Sequence, residues 1–341
     1  ITYVESGFDW PTYQESYDTR SDVHGGFVAL EMEIKDKLIL RPQARVDYYE
    51  IADDFIFNPV LNLQYDVGKG FWLKASGGYY SQALRSLNEL DYAVTNVSES
   101  IWILADNVDF DVLTSEQFTL GGIFKKKGWI VDIDLYQKQV WGLTALNQFT
   151  EDNNPNLDWA TGSSMTVGMD FMLKKTFGRY DSWLSYSYSE SKNHFDSLPT
   201  TNFFSSIDRP HRFRWVHNYK INQWQVSLGW MFKSGTPYTP AQSLAYDSIN
   251  DEYSITFAGI NSARLPFYHR LDFSIWYNFP KTDKRFYGTV GLSLLNVYNR
   301  DNVWRKFYYL KDANDDDIPE IVEEQRSFLG ITPNLTIKLG F

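Results

Sequence analysis

Asn334-Leu-Thr-Ile-Lys-Leu-Gly-Phe341 closes the chain, with Leu335, Ile337, Leu339 and Phe341 alternating against Thr336, Lys338 and Gly340. Successive side chains of a strand point to opposite faces, so one face here is wholly apolar and the other polar or small. That division suits a wall with hydrocarbon on one side and water on the other. It equally describes an amphipathic strand of a soluble sandwich, and one short segment does not separate the two.

Working outward, the alternation recurs. At 24–35, Val28, Leu30, Met32 and Ile34 oppose Glu31 and Glu33; beyond Asp36-Lys37, Leu38, Leu40, Ala44 and Val46 oppose Arg41, Gln43, Arg45 and Asp47. Together they read as a hairpin. Equivalent windows include Leu61–Tyr65, Leu73–Tyr79, Phe118–Phe124, Val131–Leu135, Met165–Leu173, Leu184–Tyr188, Phe213–Tyr219, Trp224–Phe232, Leu271–Phe279 and Phe286–Leu294. With the last strand they make thirteen. Counted with the residues that flank these alternating cores, the windows run about 10 to 16 residues, longer than the ~5–6 usual in a sandwich and long enough for a tilted membrane-crossing strand.

Composition agrees. Of 341 residues, 17% are aromatic, with 12 Trp, 23 Tyr and 24 Phe, while mean hydropathy is negative. No apolar run approaches the ~20 residues of a membrane helix. Lipid-facing positions of a barrel use only every second residue, and Trp and Tyr gather at its two interfaces. A carbohydrate-binding β-protein shares this composition. The net charge of -11 argues against nucleic acid as a partner, and the absence of cysteine excludes disulfides and thiolate metal sites. Ile1-Thr-Tyr-Val has neither an initiator Met nor the basic and apolar regions of a signal peptide, as expected of a chain that begins inside a longer protein.

Connections discriminate further. Short turns near 36, 68, 127, 178, 222 and 282 alternate with mostly long polar loops at 81–113, 143–159, 194–209, 234–264 and 299–325. Short turns on one side and long loops on the other point to an all-β fold, a transmembrane antiparallel up-and-down β-barrel.

Several segments resemble the C-terminal barrel half of TonB-dependent receptors of Gram-negative bacteria. They are Asp208-Arg-Pro-His-Arg-Phe213, Ser234-Gly-Thr-Pro-Tyr-Thr-Pro240, Arg264-Leu-Pro-Phe-Tyr-His-Arg-Leu-Asp-Phe273, Asn296-Val-Tyr-Asn-Arg-Asp-Asn302 and Phe328-Leu-Gly-Ile-Thr-Pro-Asn334. The resemblance implies a 22-stranded barrel in the cell outer membrane, of which residues 1–341 form the C-terminal part. The plug domain, the TonB box and the early strands are then absent from this chain. Counting back from a descending last strand makes 24–35 strand 10 and places its Asp36-Lys37 turn on the periplasmic side. A complete 14-strand barrel acting as a passive diffusion channel is the alternative, and a soluble glycan-binding β-protein a further one.

The resemblance also implies import of a scarce nutrient rather than an enzyme activity. The partners it implies are outer-membrane lipid and lipopolysaccharide, the TonB complex acting through the plug region, the outer-membrane assembly machinery, a surface lipoprotein, and a small-molecule or oligomeric nutrient. Leu335, Ile337, Leu339 and Phe341 are the expected assembly signal. Loop aromatics Tyr92, Trp102, Trp159, Tyr238, Tyr246, Phe307, Tyr308 and Tyr309 are candidates to stack on a ligand, against a bland role in the interfacial girdle, to which Trp141 and Trp304 lie close. Asp312, Asn314, Asp316, Glu320 and Glu323 carry oxygen donors spaced like a calcium loop, although Asp317 stands where that loop wants Gly; a solvated acidic tip is the other reading. Lumen-facing Arg41, Arg45, Arg212, Arg214, Asp132 and Asp134 are expected to pair among themselves or to meet a plug or substrate. His24, His194, His211, His217 and His269 lack zinc-type spacing, and no hydrolase elbow or nucleotide loop appears.

Overall fold

The computed structural model describes residues 21–87, 101–108, 110–147, 158–249, 251–279, 287–311 and 318–340, with backbone alone at 86–87, 101–103, 146–147, 158–159 and 287. Thirteen strands follow one another through a single sheet: β1 Val23–Ala29, β2 Leu38–Tyr49, β3 Asp54–Gly68, β4 Phe71–Gln82, β5 Leu113–Lys126, β6 Trp129–Asn147, β7 Asp158–Phe177, β8 Tyr180–His194, β9 His211–Ile221, β10 Trp224–Lys233, β11 Tyr268–Asn278, β12 Tyr287–Leu295 and β13 Thr332–Gly340. Each pairs antiparallel with its neighbours in this order, so the meander contains no crossover. Every strand window read from the sequence falls on one of them.

Register explains the sequence pattern. One cross-strand row runs Gln64, Lys74, Gly121, Asp134, Asp170, Ser187, Arg212, Lys233, Tyr268. The adjacent row runs Tyr65, Leu73, Gly122, Ile133, Phe171, Tyr186, Phe213, Phe232, His269. Because a one-residue step reverses the face, the first row belongs to the lumen and the second to lipid. Leu120 (61%), Leu135 (51%) and Leu335 (69%) stand out from the sheet exposed, and among the described residues no second sheet packs over it. Leu271, Phe273 and Ile275 therefore do not lie between stacked layers.

Rings collect at both ends of the lipid face. His211 bonds Tyr186 (2.9 Å) and His269 bonds Tyr298 (2.7 Å) at the long-loop end; His217 bonds Tyr180 (2.5 Å) toward the short-turn end, beside Trp215 and near the Trp224–Tyr277 pair. Amphipathic rings of this kind suit the membrane–water boundary.

The short turns are tight. Lys35 and Asp36 both take positive φ, and Lys37 N donates to Ile34 O (3.2 Å), the primed geometry that matches strand twist. Lys127-Gly128 repeats it. The 24–35 window is notched: Met32–Ile34 continues β1 after a break at 30–31. Leu30 N reaches Pro42 O (3.0 Å), but Pro42 has no N–H to return to Leu30.

At the other rim the regions read as loops contain strands. Hairpins pair Leu84–Leu87 with Ile101–Leu104, Ala241–Asp247 with Glu252–Phe257, and Val303–Lys311 with Glu320–Ser327. Two small clusters of buried residues lie in this region, Ala145, Ala160, Phe195, Leu198, Phe203 and Ile260 in one, Tyr49, Ala83, Ala105 and Val112 in the other.

A charge on the outer face should be far costlier than one on the inner face. Leu120→Arg is expected to destabilise the barrel by about 2–4 kcal/mol, and Thr119→Arg, one step along β5, by much less; denaturant unfolding of the full-length protein in phospholipid vesicles measures both.

Candidate functional site: the lumen wall and its loop rim

The polar row divides by charge. In one sector Lys74 Nζ holds Asp132 (2.6 Å) and Asp134 (2.8 Å), and Asp170 lies opposite Asp134 in register. Arg41 pairs with Glu31 (2.6 Å) and Arg45 with Asp47 (2.6 Å), so four of the six expected lumen charges find partners, each outside that set rather than within it. The other sector is basic. Arg212 and Arg214 on β9, Lys233 on β10 and Arg209 in the preceding loop have no carboxylate within ion-pair distance among the described residues, whereas Arg270 is held by Asp272 (2.9 Å). Burial, with Arg212 nearby, lowers the Arg209 guanidinium below its ordinary range.

A cavity of 490 Å³ opens against this sector at the loop end, lined by Arg209, Arg214, Lys233, Arg270, Tyr268, Trp304 and Phe328 among others. A smaller one of 200 Å³ adjoins Arg212, Ser185 and Ser187. Phe328 meets Tyr268 edge-on (5.6 Å) and stands 6.4 Å from Trp304, while Lys233 Nζ lies 5.2 Å over the Tyr268 ring. The pocket thus combines cations with an aromatic wall.

Above it, the 303–327 hairpin gathers part of the expected ligand set. Glu323 accepts from Lys306 (2.7 Å), Tyr308 (3.0 Å) and Gln325 (2.8 Å), and Lys306 lies 5.4 Å over the Tyr238 ring. The Lys306 hydrogen bond lowers the Glu323 carboxyl, and burial followed by the Glu323 hydrogen bond raises the Tyr308 phenol. Phe307 is buried between the guanidiniums of Arg305 (4.8 Å) and Arg326 (4.5 Å). Tyr309 is exposed at 45%; Tyr246, exposed at 54% on its own hairpin, bonds Asp251 (2.6 Å) and packs on Tyr253. Trp102 and Trp159 are placed by backbone only, opposite Ser86 and Leu146. Tyr92, Asp312, Asn314, Asp316 and Phe341 lie outside the described residues. Of the calcium-loop candidates, Glu320 and Glu323 sit on the second strand of the hairpin, and Glu323 is already committed to Lys306.

The family model for the TonB-dependent receptor-like β-barrel matches residues 3–299. The chain belongs to the TonB-dependent receptor β-barrel family. It is accordingly an outer-membrane barrel protein. Similar solved structures include the FrpB iron transporter from Neisseria meningitidis, at 12% identity and TM-score 0.58 over 95% of this chain and 46% of that one. The ferric citrate transporter FecA matches at 13% and 0.56 over 93% and 45%, and the siderophore receptor PirA from Acinetobacter baumannii at 15% and 0.57 over 82% and 42%. The chain thus spans less than half of each of these structures. No curated protein matches it.

In this TonB-dependent receptor barrel, the residues that carried the resemblance clasp loop to wall. Asp208 is buried, accepts the Ser191 N–H (2.7 Å) and binds Arg264 (2.5 Å), whose guanidinium covers the Phe204 ring at 4.6 Å. Ser234 Oγ accepts the His211 N–H (3.2 Å). A Cβ on Gly235 would sit 1.7 Å from Leu265 O, so only Gly permits that approach. Asn302 both accepts from His269 N (3.0 Å) and donates to His269 O (3.1 Å), making the two bonds a partner strand would make; Asn296 does the same for Arg300. These partners lie up to 56 residues apart in sequence, so motif reading alone could not assign the role.

Two outcomes are expected. Asp208→Ala leaves Arg264 without its acid and should cost about 3 kcal/mol, with faster hydrogen exchange at the Ser191 amide than in the parent. Because the folded Glu323 carboxyl titrates below its unfolded value, its contribution is present above the unfolded range and lost as pH falls through the lowered value. Protection factors for hydrogen exchange across 303–327, corrected for the intrinsic pH dependence of amide exchange, should therefore fall as acidification protonates Glu323, and Glu323→Gln should remove that dependence.

Proposed function

We propose that this protein is part of an energised outer-membrane receptor that imports a scarce small-molecule nutrient, and is not an enzyme. The observation that carries the reading is the family match over a continuous wall with one lipid face and one polar face. The described sheet has two lateral edges, β1 and β13, and unpaired backbone groups in hydrocarbon cost several kcal/mol each. Further strands would satisfy them, and solved neighbours more than twice as long as this chain's matched part support that reading over closure of β1 on β13. Residues 1–341 are then the C-terminal part of a 22-stranded barrel whose plug and TonB box lie elsewhere in the protein.

In this reading the loop hairpins select the ligand, the TonB complex moves the plug, and Leu335, Ile337, Leu339 and Phe341 are the residues read by the assembly machinery. The solved neighbours include transporters of iron, ferric citrate and siderophores, which supports a metal-chelate cargo as one member of the nutrient class. Lipid and lipopolysaccharide surround the barrel, and the hairpin rim is where a surface lipoprotein would seat.

The rival reading is a passive pore, and permeability separates the two. Liposomes carrying the full-length protein should not swell in small-sugar solutions, and cell uptake of its nutrient should stop when a protonophore collapses the inner-membrane gradient. Rapid swelling with gradient-independent uptake is the result expected of a diffusion channel.

A further inference from the structure

The basic sector poses an electrostatic problem that the wall does not solve internally. Arg212 faces Lys233 directly across the β9–β10 ladder, and Arg214 and Arg270 flank Met231 from either side. On one face, these pairings set four cations within three adjacent strands. Among the described residues the ion pairs of this wall lie elsewhere: Asp272 serves Arg270, Asp208 serves Arg264, and Asp132 and Asp134 on β6 serve Lys74 on β4, while no ion pair joins Arg212, Arg214 or Lys233 to a described carboxylate. Elsewhere on the same wall, lysines and arginines do have acids, as Lys74, Arg41 and Arg45 show. At the 490 Å³ cavity and its smaller neighbour, four cations thus converge with Asp272 as the one acid in an ion pair with any of them among the described residues.

The opposite side of that cavity is apolar and aromatic. Trp304 is 43% exposed, Phe328 51% and Leu329 80%, although hydrophobic side chains at a watery rim gain by being covered. Arg and Lys in a half-enclosed setting bind an anion more strongly than in open water, and their forked and pointed N–H groups donate readily to carboxylate or phosphate oxygens.

We propose that the cavity between β9, β10, β11 and the base of the 303–327 hairpin binds a multiply charged anion with a flat apolar body, such as an aromatic polycarboxylate. Arg214, Lys233 and Arg209 take the anionic groups, while Trp304 and Phe328 cover the body. The site deepens the import reading by naming the charge class of the ligand, and its binding step stands independently of energised uptake.

The probe is benzene-1,3,5-tricarboxylate, titrated calorimetrically into the full-length protein in detergent, with the uncharged tricarboxamide as control. Saturable binding of the tricarboxylate alone is expected, weakening as salt rises. The double variant R214Q/K233Q should weaken it by about tenfold or more, given the strength of charge-assisted bonds. W304A should weaken it independently, and K220Q, which removes a lumen charge near the short-turn rim, should leave it unchanged. Heat-modifiable migration confirms that each variant is folded. A silent titration, as when an acidic segment of the protein already fills the pocket, overturns the proposal. So does equal affinity in R214Q/K233Q, or equal binding of the tricarboxamide. Binding that survives alongside gradient-independent uptake would sink the import reading and leave the site standing.

Discussion

Hydrocarbon offers no hydrogen bonds, so a chain that crosses it with strands must give each backbone N–H and C=O a neighbour on both sides. The meander of β1 to β13 follows from that constraint. Every strand is next to its sequence neighbour, turns on one rim are as short as two residues, and the register alternates a wet row with a dry one across the whole wall. Stability in such a wall comes from ladder bonds and lateral side-chain contacts rather than a deep core, and the buried clusters are correspondingly small.

The strands were legible because period two survives even when polar residues crowd one face. Val131, Ile133 and Leu135 could only be sorted from Asp132, Asp134 and Tyr136 by an extended chain. The rim was less legible. In the 303–327 hairpin both faces meet water and mix charge with aromatic character, as Arg305, Lys306, Phe307 and Tyr308 show in succession, so periodicity carries no face assignment. The break opposite Pro42 was readable in principle, since proline lacks a donor, but only once β2 was known to pair with β1.

Candidate site residues divided along the same line. Arg212 and Arg214 could be placed in the lumen from alternation, yet their having no ion pair among the described residues depends on Asp272 turning to Arg270 along its own strand and Asp208 to Arg264 across loops. Phe307 and Tyr308 are adjacent in sequence and opposite in surroundings: one is clamped between guanidiniums, the other bonded to Glu323. Aromatic content in a loop says that rings are present. Which of them are free to meet a guest depends on pairing across the hairpin.

The clasps at the loop bases have an evolutionary corollary. Because Asp208–Arg264, Ser234–His211 and Asn302–His269 fasten each excursion where it leaves the wall, the stretch beyond a clasp, such as Ala241–Phe257, is mechanically decoupled from the lipid-embedded ladder. Sequence change confined to such a tip therefore leaves the register by which the cylinder inserts untouched.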